Sequence, residues 1–225
     1  MAELRTPAGK VVPGHLEVGP GEGAPAVIVI QEWWGVTDQI RGVARRLAAA
    51  GFQAFAPDLY RGKTTRDAVE AERLMDALDK RAALRDLHEA VEALGPRSGG
   101  RVGVLGFCMG GMLALATAAH EPEIKACVPY YGIPPPELAD VRRIRASVLG
   151  HFGNRDGWVT PARVDALEKA LVSAKVKATL HRYDADHAFA NEQRPEVYAP
   201  EPTRLAWERT LAFLHGELDR PAAGA

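Results

Sequence analysis

Short apolar runs of strand length alternate with segments of helical period along most of this 225-residue chain. Residues 26–31 are apolar up to their last position, which is typical of a strand buried on both faces. A helical period follows, with Ile40, Val43 and Leu47 on one face. Strands that alternate with helices form mainly parallel sheets that are covered by helices on both faces. The alternation therefore predicts an α/β fold.

The same patterns predict the other elements and their limits. Pro13 and Gly14 divide residues 10–18 into two short antiparallel edge strands, and Gly51 ends the first helix. Because this length suits one domain better than two, we expect one α/β domain over residues 1–220 and a loose tail over 221–225. The predicted strands of the main sheet are residues 26–31, 53–56, 101–105, 126–130, 147–152 and 177–183, and the predicted helices are residues 38–50, 65–79, 82–94, 110–119, 161–174 and 202–218.

Composition and charge argue against several classes of protein. Hydrophobic residues make up 47% and charged residues 25%, as in globular domains, and the net charge of −1 offers no excess of cations to nucleic acid or anionic lipid. The two cysteines, Cys108 and Cys127, suit free thiols in a reducing compartment, and no apolar run approaches the roughly 18 residues of a membrane span. We expect a cytoplasmic monomer or small homo-oligomer with a small-molecule partner, no nucleic-acid or membrane partner, and no metal.

The segment Gly106-Phe107-Cys108-Met109-Gly110 stands between a predicted strand and a predicted helix of small residues. A nucleophile at such a sharp turn adopts a strained backbone and needs small neighbours, which the glycines provide. The helix N-terminus also offers N–H groups and a positive dipole end to a thiolate or an oxyanion. We therefore predict that Cys108 is a nucleophile. The alternative is a buried structural cysteine beside a glycine-rich helix start.

An acid and a base follow Cys108 in the chain order that a strand-to-helix nucleophile requires. Asp156 comes after the predicted strand 147–152, and His187 comes after the predicted strand 177–183. Since ligand sites of open α/β sheets lie at the carboxyl ends of the strands, these residues are expected to converge with Cys108. The alternatives are an ordinary loop carboxylate or cap for Asp156 and a solvated loop histidine for His187.

Segments along nearly the whole chain together resemble the dienelactone hydrolase family. They are Gly106 to Gly111, the sequence QEWWG at 31–35, the sequence PDLY at 57–60, and the segments around Asp156 and His187. The resemblance implies an α/β-hydrolase fold, with a mostly parallel sheet flanked by helices on both faces, and a Cys-His-Asp triad of Cys108, His187 and Asp156. It implies hydrolysis of a lactone or an activated enol or aryl ester through a thioester acyl-enzyme, without a cofactor. A general carboxylesterase and a catalytically silent ligand-binding module are the alternatives.

Glu32 follows the first buried strand, so we expect it to face the same crevice as Cys108. The resemblance implies that this carboxylate interacts with the thiol and helps to deprotonate it when substrate binds. Alternatively, Glu32 only anchors its loop through backbone N–H groups. The backbone N–H groups of Trp33 and Met109 are the predicted donors of an oxyanion hole.

Five further residues are predicted to bind substrate, namely Trp34, Phe107, Tyr131, Trp158 and Asn191. Each of the aromatic residues lines an apolar pocket or belongs to the core. Members of the resembled family hold a substrate carboxylate with two arginines, and Asn191 occupies the place of one of them. Arg66 and Arg73 are substitutes without an assigned position. Because a carboxylate buried without a cation loses its hydration uncompensated, neutral lactones or esters are expected to compete well with acidic ones.

Overall fold

The structure is a computed structural model that describes residues 4–19, 21 and 23–219, so the predicted loose tail at 221–225 lies outside the described residues. The strands are β1 (Leu4–Arg5), β2 (Val11–Val12), β3 (Gly14–Val18), β4 (Ala26–Ile30), β5 (Gln53–Pro57), β6 (Val102–Phe107), β7 (Ile124–Tyr130), β8 (Ser147–Gly153) and β9 (Ala178–Tyr183). The helices are α1 (Asp38–Ala49), α2 (Ala68–Ala77), α3 (Lys80–Leu94), α4 (Met109–His120), α5 (Pro161–Ser173) and α6 (Pro200–Leu218).

Seven strands form one sheet in the order β3-β5-β4-β6-β7-β8-β9. Every neighbouring pair in it is parallel except β3 and β5, which are antiparallel. Two strands do occur in the segment 10–18, but they do not pair with each other: β2 pairs with β1 in a separate two-stranded sheet, and β3 forms the edge of the main sheet. The prediction of an α/β fold with a mostly parallel sheet is confirmed.

The sheet is covered by helices on both faces because its central strands are apolar on both sides. On β4, Ile28 and Ile30 pack with the helices α3, α4 and α5, whereas Val27 and Val29 pack with α1 and α6. All five residues of β4 are fully buried. The two layers of core keep the ends of the parallel strands together at one edge, where the loops that follow β4, β6, β8 and β9 meet.

Aspartate caps account for the helix starts that the sequence patterns misplaced. The side chain of Asp67 accepts a hydrogen bond from the N–H of Glu70, so α2 begins at Ala68 and not at residue 65. The side chain of Asp79 accepts from the N–H groups of Arg81 and Ala82, and α3 therefore begins at Lys80. In the described part of the chain, no helix combines the length and the apolar character that crossing a bilayer requires.

A buried polar network ties α6 to the strands beneath the carboxyl edge of the sheet. His151 of β8 is fully buried and forms hydrogen bonds of 2.8 Å with the hydroxyl of Tyr183 and 3.0 Å with Oγ1 of Thr210. Tyr130 shares a 2.8 Å hydrogen bond with the same Thr210 hydroxyl. Burial, with a smaller contribution from nearby His181 and Arg209, holds the pKa of His151 well below its usual value of 6.5. His151 is therefore neutral in the folded protein.

We predict that His151 makes the fold sensitive to acid. As the pH falls through about 6.5, the unfolded chain takes up a proton that the native imidazole does not, so the free energy of unfolding decreases by up to about 1.4 kcal/mol per pH unit. In His151→Gln this part of the slope should disappear. Urea unfolding at pH 7 and pH 5 measures the difference. The control His215→Gln, at an exposed position on α6, should keep the wild-type slope. Equal slopes in His151→Gln and wild type would contradict the prediction.

Candidate active site

Cys108 occupies a strained backbone conformation between β6 and α4. Its φ is 54° and its ψ is −116°, a region that residues with a Cβ seldom adopt. Its backbone N–H donates a 3.0 Å hydrogen bond to the carbonyl oxygen of Tyr130. A Cβ on Gly106 would overlap the carbonyl oxygen of Gly110, and a Cβ on Gly110 would overlap that of Ile30. The close approach of β4, β6 and α4 therefore requires glycine at both positions.

The structure brings the three predicted triad residues into hydrogen-bonding distance of one another. Nε2 of His187 lies 3.1 Å from Sγ of Cys108, and Nδ1 lies 2.7 Å from Oδ2 of Asp156. The other carboxylate oxygen, Oδ1, accepts hydrogen bonds from the backbone N–H groups of Trp158 at 2.7 Å and Val159 at 2.8 Å. Asp156 is thus fixed on both oxygens, with His187 between it and the thiol.

The hydrogen bonds of this group outweigh the effect of burial on its charges. Burial alone would raise the pKa of Asp156, but the hydrogen bond from His187 and the two backbone N–H groups lower it below its usual value. Burial alone would lower the pKa of His187, but the contacts with Asp156 and Cys108 raise it to about 10. At neutral pH the carboxylate of Asp156 is charged, and its contact with His187 favours the protonated form of the imidazole.

The two predicted oxyanion donors lie next to the turn at Cys108 between β6 and α4. Met109 is the first residue of α4, so its N–H has no acceptor within the helix. Trp33 follows Glu32 in the loop after β4, and its N–H has no acceptor among the described residues. Both N–H groups are therefore free to bind a developing oxyanion, the role expected of them from the sequence.

Glu32 is buried and bound by two neutral side chains. Its Oε1 accepts a hydrogen bond of 3.1 Å from the hydroxyl of Tyr131, and its Oε2 accepts one of 2.6 Å from Nδ2 of Asn191. Burial raises the pKa of Glu32 above 4.5, although these bonds and the positive charges of His187 and Arg194 oppose the rise. Within the described residues no hydrogen bond joins Glu32 to Cys108. The anchors of Glu32 are side chains and not the backbone N–H groups of the alternative interpretation.

Two of the aromatic residues predicted to line the pocket belong to the interior. Phe107 is 2% exposed and its ring lies 4.7 Å from that of Tyr130, centroid to centroid, which favours the alternative that it belongs to the core. As the last residue of β6, Phe107 points to the face that α1 and α6 cover. Tyr131 is also fully buried, and its hydroxyl contacts Glu32 instead of a pocket. Trp34, Trp158 and Asn191 do lie at or near the surface of the site.

A cavity of about 510 Å³ is lined by Asn191 and Trp34. Arg66 and Arg194 are also part of its wall, which is completed by Thr37, Thr65, Ala68, Gln193 and Glu196. Arg194 lies 5.3 Å above the ring of Trp34 and pairs with Glu196 at 2.6 Å, whereas Arg66 has no ion pair among the described residues. Cys108 and His187 do not line this cavity. Asn191 in its wall binds Glu32, and Tyr131, the other partner of Glu32, lies 5.2 Å from His187, ring centroid to ring centroid.

The structure gives positions to the two arginines, Arg66 and Arg73, that the sequence left without one. Arg73 is exposed and paired with Glu70 at 2.7 Å, away from the cavity. Arg66 and Arg194 face the cavity instead. Sequence reasoning did not identify Arg194, although it lies on the same loop as Asn191, seven residues after His187.

Comparisons with known proteins give the family of the chain. A model of the dienelactone hydrolase family matches residues 15–218. The chain belongs to the dienelactone hydrolase family. The chain is 35% identical to Protein usf of Aquifex pyrophilus over 208 residues, which cover 86% of this chain and 89% of that protein. It is also 35% identical over 207 residues to a protein of Escherichia coli K12 that is provisionally named carboxymethylenebutenolidase, covering 84% of this chain and 76% of that one.

Solved structures of this family share the fold over almost its entire length. A protein of Klebsiella pneumoniae, provisionally named dienelactone hydrolase, superimposes with a TM-score of 0.84 at 30% identity and covers 95% of this chain and 97% of its own. A dienelactone hydrolase-like promiscuous phosphotriesterase, P91, from metagenomic libraries has the same TM-score at 24% identity, which shows the shared fold. As a member of the dienelactone hydrolase family, the chain is a hydrolase with the α/β-hydrolase fold expected from its sequence.

We predict that Gly106→Ala destabilises the fold by about 3 kcal/mol or more, because the new Cβ meets backbone atoms of α4 that cannot move aside. The control is Gly216→Ala in α6, where nothing lies within 4 Å of an added Cβ and alanine is the better helix former. Denaturant unfolding of both variants measures the effect. If Gly106→Ala lowers the free energy of unfolding by less than about 1 kcal/mol, the turn between β6 and α4 relaxes easily and the prediction is wrong.

Proposed function

We propose that the protein hydrolyses lactones or activated enol and aryl esters, with Cys108 as nucleophile, His187 as general base and acid, and Asp156 as the group that orients the imidazole. The observation that carries the proposal is the continuous line of contacts from Oδ2 of Asp156 through both ring nitrogens of His187 to Sγ of Cys108. This is the arrangement of nucleophile, base and orienting acid that covalent acyl transfer requires.

The proposed reaction has two halves. In the first, Sγ attacks the carbonyl carbon while His187 holds the thiol proton, and the N–H groups of Trp33 and Met109 bind the oxyanion. The carbon–oxygen bond of the ester then breaks, His187 gives its proton to the leaving oxygen, and a thioester remains. In the second half His187 takes a proton from water as its oxygen attacks the thioester carbon; the carbon–sulfur bond then breaks, His187 returns the proton to Sγ of Cys108, and the carboxylic acid is released.

A cysteine nucleophile limits the substrates that this reaction accepts. The tetrahedral intermediate expels its better leaving group, and a thiolate leaves more easily than a simple alkoxide or an amine. Enolates and phenolates compete with the thiolate, so enol-lactones and aryl esters proceed to the acyl-enzyme. With alkyl esters, the tetrahedral intermediate mostly reverts to the intact ester and the free enzyme. This argument favours an activated-ester hydrolase over a general carboxylesterase, and rates on enol-lactones against ethyl esters of the same acid distinguish the two.

We predict that Cys108→Ala abolishes turnover of an enol-lactone and of p-nitrophenyl acetate and leaves the fold intact, because the replaced group forms the acyl-enzyme. The control Cys127→Ala removes the other free thiol, which is buried in β7, and should keep the activity at a wild-type level. Initial rates, with circular dichroism to check folding, measure both. Near-normal rates in folded Cys108→Ala would refute the proposal.

The acyl-enzyme gives a second test of the mechanism. Rapidly quenched mixtures of enzyme and p-nitrophenyl acetate should contain protein that is heavier by one acetyl group, and peptide mapping should place that group on Cys108. A silent binding module would show neither the adduct nor turnover. An adduct on a hydroxyl residue would assign the nucleophile elsewhere.

The arginines of the cavity wall support a preference within this substrate class. We propose that the cavity binds a carboxylate of the substrate, with Arg66 as the cation that no acidic side chain among the described residues neutralises. Arg194 adds charge beside the ring of Trp34, although it shares that charge with Glu196. A carboxylate that enters such a cavity exchanges its hydration for charge-assisted hydrogen bonds.

We predict that Arg66→Ala lowers kcat/KM for a carboxylated enol-lactone by about tenfold, or roughly 1.4 kcal/mol, and changes that of its methyl ester less than twofold. The control Arg73→Ala removes a cation that is already paired with Glu70 on α2 and should change neither substrate. Steady-state kinetics on the acid and ester pair checks both. An equal loss of kcat/KM on both substrates would show that Arg66 does not act through the negative charge of the substrate carboxylate.

A further inference from the structure

The indole of Trp158 covers the solvent side of His187. Its ring centroid lies 5.9 Å from that of the imidazole, and the two planes are inclined by only 24°, in a stacked arrangement. Trp158 is 60% exposed, so the position gains little from the burial of apolar area.

The backbone holds Trp158 in this place from both sides. Its N–H donates a 2.7 Å hydrogen bond to Oδ1 of Asp156, and its carbonyl oxygen accepts one of 2.7 Å from Nη1 of Arg163. The edge of the indole meets Trp33 with the centroids 5.9 Å apart and the planes at 75°. The turn that carries the acid therefore also fixes the ring over the imidazole, with Trp33 as a lateral support.

Other charged and titratable groups meet His187 on its remaining sides. Asp156 and Cys108 occupy its two nitrogens, and the ring of Tyr131 approaches from the buried side with its centroid at 5.2 Å. Glu32 adds its charge from behind Tyr131. At the surface, Arg155 pairs with both Asp184 and Asp186, so one of the two negative charges is offset. The indole face of Trp158 completes the surroundings.

We propose that Trp158 is a positioning residue whose π face stabilises the imidazolium form of His187 and keeps the ring aligned between Asp156 and Cys108. An indole attracts a cation over its face when the cation lies within about 6 Å of the ring centroid. In the proposed reaction the imidazolium exists while the sulfur attacks and again while water attacks, so the stacking acts at both steps. The proposal rests on the proposed function only for that kinetic consequence.

The electrostatics of the site are consistent with this role. The pKa of His187 is raised to about 10 by its contacts with Asp156 and Cys108, against the effect of burial. The side chain of His187 is 20% exposed, so the imidazolium has lost most of its water. An indole face replaces part of the lost hydration without offering a competing hydrogen bond, and therefore leaves both ring nitrogens to the acid and the thiol.

The test compares two variants that separate the π face from the apolar cover. Trp158→Leu keeps an apolar side chain over His187 and removes the aromatic face, whereas Trp158→Phe keeps a smaller aromatic face. NMR titration of the His187 ring, followed through its carbon-bound protons, should show a fall of about half a pH unit in the pKa of the imidazolium in Trp158→Leu. The fall should be smaller in Trp158→Phe. Trp207→Leu, a control at a tryptophan of α6 whose ring stacks with Arg46, should titrate as wild type.

Kinetic measurements distinguish this positioning role of Trp158 from a role in substrate binding. On an aryl ester we expect Trp158→Leu to lower kcat several-fold with KM within twofold of wild type, and Trp158→Phe to recover most of the loss. A raised KM with an unchanged His187 titration would assign Trp158 to substrate binding and overturn the proposal. An unchanged titration overturns it whatever the rates. The titration needs no substrate, so it stands even where the proposed hydrolysis fails its own test with Cys108→Ala.

Discussion

The site depends on how closely the backbones of β4, β6 and α4 approach at Gly106 and Gly110. No Cβ fits at either position, because the carbonyl oxygens of Gly110 and Ile30 already fill the space. This approach lets the chain turn within one residue, so Cys108 carries a positive φ of 54° and its side chain leaves the sheet at the strand end. A strained residue of this kind costs on the order of 1–3 kcal/mol, which the buried packing of α4 against the sheet offsets.

The same edge of the sheet determines where the charged and titratable groups of the site lie. Because β6, β8 and β9 are parallel members of one sheet, the loops after them open at one edge, and the thiol, carboxylate and imidazole come from three distant segments. Asp156 is satisfied on Oδ1 by two backbone N–H groups, so its remaining oxygen is committed to Nδ1 of His187. That commitment fixes the tautomer of the neutral ring and directs Nε2 at the sulfur. Burial strengthens each contact, since less water competes for it.

Sequence reasoning could place the triad because its argument needed only strand order and chain order. Cys108, Asp156 and His187 each follow a predicted strand, and parallel strands bring their carboxyl ends together. It could not place Tyr131, whose φ of 39° turns the side chain inward in a way that no pattern encodes. The burial of Phe107 was within reach: alternation puts it on the same face as Leu105, under α1 and α6. The cavity position of Arg194 depends on the course of an irregular loop, which periodicity does not describe.

Asn191 belongs both to the cavity wall and to the surroundings of Glu32. Its amide is neutral, so it binds the carboxylate of Glu32 without offsetting the effect of burial by a positive charge. Arg66 and Arg194 lie in the same cavity wall, and Glu196 pairs with Arg194. Among the described residues of this wall, the positive charge without an ion pair is therefore that of Arg66. A single 2.6 Å hydrogen bond from the amide of Asn191 joins Glu32 to the cavity wall. The shape of the cavity and the position of the buried carboxylate therefore depend on each other.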